Sequence, residues 1–333
     1  MTGKDKAPTA STPTAPEQTI SALGEFALIE RITGVIGTSH AGRQESVIVG
    51  NGDDAAVVAV RGGEVVIATD SLVQGRHFRL EWSSGQDIGT KAVARSCADI
   101  AAMGGVCTAV VVALCAPSST PIDLIEAIAA GVRDEAARAG AVVVGGDTTQ
   151  ADQLLLTVTA IGEMAGLTPV RRDGARAGDV VAVLGELGRS HAGWQLLDHG
   201  ANTDDPLVIA HLRPRPDYAA GRAMAAAGAN ALIDISDGLM GDLAHIAAAS
   251  HVAIDIESNC IPLGTGVTLD DALAGGEDHV FVATFPPEAA LPDGAVVIGR
   301  CVEPGGRPIV TVDARIGPSS WEHFTDDTEG HGL

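Results

Sequence analysis

Five acidic turns stand out along this chain. GNGDDAAVV (50–58), VVIATDS (65–71), AVVVGGDTT (141–149) and ALIDISDGL (231–239) each set an aspartate where an apolar run ends, and Asp99 lies in ARSCADIAAMGG (94–105). Carboxylates gathered from separate strand ends repel one another, by about 4 kcal/mol per pair at 4 Å and an effective dielectric near 20. Cations are the usual way to offset that repulsion, and hard oxygen donors suit magnesium. The pattern is that of a metal-dependent enzyme that handles polyanions.

The turns are not equally informative. NGDD (51–54) taken alone reads as a hairpin turn, and the aspartate of ATDS (68–71) serves equally well as a cap or turn residue. GGDTT (145–149) is more specific, because two glycines allow close backbone approach to a phosphate, Asp147 can hold a metal and two hydroxyls follow. DISDG (234–238) precedes a helix whose N-terminal amides can receive an anion, and an ordinary cap explains only one of Asp234 and Asp237. His77 in GRHF and Glu277 in GGEDH are single groups whose plain readings are structural or solvated. Arg171 and Arg172 form either a solvated pair or a phosphate clamp. Trp321 is either a core plug or a stacking platform for a ring.

Composition narrows the chemistry. A net charge of −22 over 333 residues, with a pI near 4.6, argues against nucleic acid or an anionic membrane as partner. The only lysines are Lys4, Lys6 and Lys91, and no GxxxxGK[ST] occurs, so a P-loop is excluded and a Schiff base would rest on Lys91. Arginine is then the direct phosphate contact. Five cysteines without a CxxC pair fit reduced thiols of a cytosolic protein. The apolar stretch VCTAVVVALCA (106–116) is too short to cross a bilayer, so a soluble, cytoplasmic protein is expected.

The elements that must carry these turns are mixed α/β. GEFALIERITGVIG (24–37) has Phe26, Ile29, Ile32 and Ile36 at helical spacing. VIVGNGDDAAVVAV and EVVIATD read as paired strands around a Gly-rich turn. A helix is expected from an Asp87 cap to Met103, which sets Asp99 one turn beyond Arg95 and near the C-terminus, where the dipole disfavours an anion. VCTAVVVALCA reads as a strand. Thr120-Pro121 then starts a helix over 121–139, with Asp123 completing a capping box. AVVVGGD and LLLTVTAIGEM are strands, and the turn-rich 166–179 reads as the domain junction. The second half reads as strand DVVAVLG, helices 190–199 and 217–228, strand ALIDIS, helix 239–250, strand VAIDIE and a strand-rich end. Two α+β domains are expected, 21–165 and 166–324, with disordered tails at 1–20 and 325–333 and the site between the domains.

In order, GEFALIER, GDDAAVV, ATDSLVQGRHF, KAVARSCADIAAMGG, GGDTT, RDGARAGD, HLRPRP, IDISDGLMGDL, GGEDH and WEHF resemble the thiamine-monophosphate kinase family over residues 24–324. More loosely, they resemble the superfamily that includes aminoimidazole ribonucleotide synthetase and selenophosphate synthetase. The resemblance implies ATP-dependent phosphorylation of thiamine monophosphate to thiamine diphosphate, with several magnesium ions, ATP as co-substrate and potassium as a further candidate cofactor. It also implies a homodimer in which N-terminal sheets form a barrel, with a C-terminal α+β domain. Metal ligands implied are Asp54 (with Asp53 as second choice), Thr69, Asp70, Asp99, Asp147, Asp234 and Asp237. ATP contacts implied are Gly146, Asp147, Arg172 (or Arg171) and Ser236, and substrate contacts are His77, Glu277 and Trp321. The family often has Ser where this chain has Ala68, so any metal contact there would fall to the backbone carbonyl.

The expected chemistry is direct in-line transfer without a general base, because the acceptor phosphate is already ionised. The rivals are a superfamily synthetase acting on a ribonucleotide amide, which releases inorganic phosphate, and a non-catalytic nucleotide or metal sensor, which binds ATP without releasing ADP.

Overall fold

Alternating apolar residues build two large sheets beside a two-stranded pairing, and one helix serves both large sheets. The computed structural model describes residues 18–37, 47–49, 55–60, 62–201 and 204–317. The first half runs α1 (Ile20–Leu23), α2 (Glu25–Ile36), β1 (Val47–Val49), β2 (Val57–Val58), β3 (Val66–Val73), α3 (Gly85–Ala102), β4 (Val106–Ala116), α4 (Ile122–Arg138), β5 (Val142–Gln150) and β6 (Leu155–Glu163). The second half runs β7 (Val180–Leu184), α5 (Arg189–Asp198), α6 (Pro206–Leu212), α7 (Tyr218–Ala226), β8 (Ala231–Asp234), α8 (Leu239–Ser250), β9 (Ala253–Ile256), α9 (Leu269–Ala274), β10 (Phe281–Phe285), β11 (Val296–Val302), β12 (Val310–Val312) and β13 (Arg315–Ile316).

The first sheet has the order β3-β6-β4-β5, with β4 and β5 parallel across the α4 crossover and the other pairs antiparallel. In β6 every second residue is buried. Leu156, Val158 and Ala160 face α3 and α4 in one core with Ile88, Val93, Ile125 and Ile128. Each buried valine or leucine there contributes about 1.5–3 kcal/mol. On the opposite face of β3, Thr69 and Ser71 hydrogen-bond across to Thr159 and Thr157 at 3.1 and 2.8 Å, beside the exposed Ile67.

The second sheet has the order β13-β12-β9-β11-β7-β10-β8. α8 and α9 cover one face, through Leu243, Ile246 and Leu273. The other face packs Leu232, Phe281 and Phe285 against Met224 of α7 and against Ala101 and Ala102 at the end of α3. α3 therefore lies in the cores of both halves and forms the wall between the two sheets.

Local capping differs from expectation in two helices. α3 starts from Ser84, whose hydroxyl accepts from the Asp87 N–H while Asp87 accepts from the Ser84 N–H at 2.8 Å. Asp87 thus completes a capping box from the third helical position and is not the cap itself. At α4 the expected Thr120–Asp123 box does not form. Pro121 is the cap with no side-chain bond, and Thr120 is drawn into a turn, its N–H on Pro117 O and its carbonyl accepting from Ile20.

The strand pairing also differs. β1 pairs with β2 inside the first expected run, whereas EVVIATD becomes β3 and pairs with β6. Residues 18–20 of the expected tail are structured: the Ile122 N–H donates to Gln18 O at 2.8 Å and Ile20 opens α1. The rest of that tail, 1–17, and the tail 325–333 lie outside the described residues. α6 and α9 are not among the expected elements, although both carry start signals, Asp205-Pro206 and a Thr268/Asp271 capping box.

Candidate active site

On α3 the residues Lys91, Arg95 and Asp99 recur every four positions, which aligns them along one helix face. That face looks onto the junction between the sheets. Lys91 Nζ lies 2.6 Å from Glu277 Oε2 and 3.1 Å from the His77 carbonyl oxygen. Arg95 donates to Glu277 Oε1 at 2.9 Å and approaches Asp70 Oδ1 to 4.0 Å. Ser96, the next residue, sets its hydroxyl 3.1 Å from Asp70 Oδ2 and 3.0 Å from Val158 O. Asp70 pairs with Val158 in the sheet and so belongs to the helix-facing side of β3.

Asp99 is the most perturbed carboxyl of the group. Burial pushes it up to about 8, reinforced by the charges of Asp234 and Asp70 and opposed by Arg172. Three carboxylates from β3, α3 and the end of β8 therefore converge. Asp234 is 3% exposed and its Oδ2 lies 3.0 Å from His279 Nδ1. A cleft of about 490 Å³ opens beside them, lined by Ala68, Asp99, Met103, Arg171, Arg172 and Ile233, among others. Hard oxygen donors held close at an electrostatic cost are the donor chemistry that magnesium fits.

The loop after β8 is pinned from two sides. The Glu277 N–H donates to Ser236 O at 2.8 Å, and the Ser236 and Asp237 N–H groups both donate to Asp242 Oδ2 at 3.0 Å. Asp242 is 2% exposed, and burial, with Asp234 and Asp237 nearby, pushes it up to about 8. Asp237, Asp242 and His245 bring ligand atoms within 4.8 Å of one another. Asp242 and His245 went unrecognised in the sequence. The signal was present, since an aspartate and a histidine three apart on a helix share a face.

Glu277 itself is buried, with a positive φ of 65°. Burial would raise its pKa, but Lys91, His211 and Arg95 outweigh that and hold the carboxyl well below the usual range. His211 Nδ1 stands 3.6 Å from Glu277 Oε2 and 3.1 Å from Ser190 Oγ. His77 is fixed from both ends: its Nδ1 accepts from the Val73 N–H at 3.0 Å and its carbonyl accepts from Lys91.

Not every expected residue joins this group. The Thr69 side chain lies on the opposite face of β3 from Asp70, bonded to Thr159. Asp147 is exposed on β5, in register with Ala113, Thr157 and Ser71. Three strand spacings put it about 14 Å from β3. Gly146 and Asp147 border a different, apolar cavity of about 160 Å³ between α2, α4 and the sheet, where the Thr148 hydroxyl is buried without a partner among the described residues. Of the two arginines, Arg171 is ion-paired with Asp173 while Arg172 acts on Asp99. Asp53, Asp54 and Trp321 lie outside the described residues.

A model of the AIR synthase related protein N-terminal domain family matches residues 52–164. The chain is 42% identical over 344 residues to thiamine-monophosphate kinase of Mycobacterium tuberculosis, an alignment that covers 99% of each. The crystal structure of thiamine-monophosphate kinase from Stenotrophomonas maltophilia K279a superposes with a TM-score of 0.75 and 32% identity, over 89% of this chain and 98% of that one. AaThiL complexed with AMPPCP and TMP superposes with a TM-score of 0.73 and 31% identity, over 93% of this chain and all of that one.

Proposed function

The chain belongs to the thiamine-monophosphate kinase family, and we propose that it transfers the γ-phosphoryl group of ATP directly to the phosphate of thiamine monophosphate. The observation that carries this reading is the convergence of Asp70, Asp99 and Asp234 beside a cleft that Arg172 enters. Such a group of acids is costly to assemble unless its task is to hold cations against phosphates.

In the proposed step an oxygen of the acceptor phosphate forms the new bond to the γ-phosphorus. The bond from that phosphorus to the β,γ-bridging oxygen breaks, and ADP leaves with the electron pair. The acceptor oxygen is already ionised near neutral pH, so no side chain has to remove a proton. Magnesium ions held by Asp70, Asp99, Asp234 and Asp237 would screen the repulsion between the two polyanions and stabilise charge on the transferring group. Arg172 contributes a guanidinium to the lining of the same cleft, suited to a phosphate of ATP. Ser236, held by Asp242, is the expected nucleotide contact from the loop after β8. His77, Glu277 and Trp321 are assigned to the thiamine side, and Gly146 with Asp147 to the nucleotide. The open face of the first sheet, with Ile67 exposed beside the Thr69 and Ser71 ladder, supports a homodimer closed through that face.

The test is ADP release with magnesium, comparing thiamine monophosphate, thiamine and an aminoimidazole precursor. Turnover with thiamine monophosphate alone, yielding thiamine diphosphate, is the expected result. Inorganic phosphate as product, or a stable phosphorylated aspartate or histidine during turnover, would overturn it.

A further inference from the structure

Arg95 sits where the two sides of the proposed site meet, and its pairing with Glu277 uses only part of its donor fork. One terminal nitrogen donates to Glu277 Oε1 at 2.9 Å and the other stands 4.0 Å from Asp70 Oδ1. The side chain is only 13% exposed, yet its Nε is buried and has no hydrogen-bond partner among the described residues. A guanidinium carries five N–H donors in a planar fork, and a buried charged donor left unpaired is costly. Its neighbour one turn back cannot serve the same purpose. Lys91 spends its ammonium on Glu277 and the His77 carbonyl, both of which fix it in place.

The surroundings specify what would pair with that fork. Asp70, on one side, is among the carboxylates expected to hold cations. Glu277 and His77, on the other, are expected on the thiamine side. A dianionic phosphate monoester lying between them would meet Arg95 first. We infer that Arg95 is the side chain that receives the phosphate of the acceptor substrate, and that Glu277 is a positioning residue that aims it. This inference rests on the kinase reading, because it names the residue that recognises that reading's acceptor. It also gives a reason for burying Glu277 behind two cations: an ionised carboxylate there fixes the plane of the guanidinium.

The test is calorimetric binding of thiamine monophosphate and of thiamine to the whole protein with magnesium and without ATP, alongside separate KM values for thiamine monophosphate and ATP. In Arg95→Gln, thiamine monophosphate binding should weaken by about 10- to 100-fold, the range for a lost charge-assisted contact. Thiamine binding and the KM for ATP should stay within about twofold, because neither depends on the lost contact under this assignment. Arg95→Lys keeps the charge without the fork, so it should recover part of the affinity, and it serves if the glutamine variant does not fold. Equal losses for thiamine and thiamine monophosphate, or no loss for either, would reduce Arg95 to a structural partner of Glu277. If the unaltered protein binds no thiamine monophosphate, the kinase reading fails with it. If the unaltered protein binds it and both variants bind equally well, only the Arg95 assignment fails.

Discussion

Lys91 Nζ and Glu277 Oε2 lie 2.6 Å apart across the junction of the two sheets, with side chains 3% and 4% exposed. Burial lowers the Lys91 pKa and Glu277 pulls it back up, so each partner keeps the other charged. Removing one leaves an uncompensated buried charge, which costs about 3–5 kcal/mol, whereas in the double variant only Arg95 is left without its carboxylate, so the loss is smaller than the sum. Urea unfolding of Lys91→Met, Glu277→Gln and the double variant should show that non-additivity. Additive losses would mean that the pair does not couple the two halves.

Asp99 points the other way, towards stability given up for function. Burial and the charges of Asp234 and Asp70 all oppose its ionisation. Asp99→Asn should therefore stabilise the metal-free protein by about 2 kcal/mol while lowering turnover at least about 100-fold. Thermal melts with and without magnesium would check both halves of this prediction. Magnesium should raise the Tm of the parent and have little effect on the variant. A variant that is less stable than the parent would remove Asp99 from the strained group.

What could be read from the sequence follows a physical line. Asp99 was visible because the C-terminal end of a helix gives a carboxylate no favourable local reason to sit, and Asp234 because one cap cannot account for both it and Asp237, whereas Asp70 alone read equally well as a cap or turn residue. Asp242 was not visible, because one aspartate early in a helix reads as a favourable dipole partner, and only the fold shows it buried under Ser236 and Asp237. Lys91 was noticed for its rarity, but its partner lies 186 positions away. Register decides the rest. Thr69 and Asp70 are neighbours in the chain and face opposite sides of the sheet, while Asp147 ends on the far edge strand. The mixed α/β plan was legible from the apolar runs and the helical spacing. The placement of α3 in the cores of both halves was not, because that depends on which small residues at its end meet α7.

His211 gives the fold a pH dependence whose sign follows from its burial. Burial, then the charge of Lys91, lowers it to about 3, against the pull of Glu277. The folded state therefore keeps a neutral imidazole while the unfolded chain takes up a proton below about pH 6.5. Stability is fully present above that value and is lost as pH falls towards 3, at about 1.4 kcal/mol per pH unit. Between pH 7 and pH 5 the parent should lose about 2 kcal/mol more than His211→Asn. Denaturant midpoints at pH 7, 6 and 5 measure this, and parallel curves for the two proteins would contradict it.

The position of α3, and hence of Lys91, Arg95 and Asp99, rests on its contact with α4. A Cβ on Gly89 would stand 2.1 Å from Ile128 O, and one on Gly131 would stand 2.2 Å from Gln86 O. Backbone is the obstacle in both cases, so the two helices must separate to admit a methyl group. Gly89→Ala should cost about 1–3 kcal/mol or more, and it should lower turnover because the face carrying Arg95 and Asp99 moves with the helix. Gly34 in α2 is the matched control: its added Cβ meets nothing within 4 Å among the described residues, and its φ is not positive. Gly34→Ala should therefore stabilise the protein by about 0.4–1 kcal/mol. Thermal denaturation and thiamine monophosphate turnover, measured on both variants, separate the effects. Loss of stability without loss of activity in Gly89→Ala would show that the site tolerates displacement of α3, and that its carboxylates are positioned chiefly from β3 and β8.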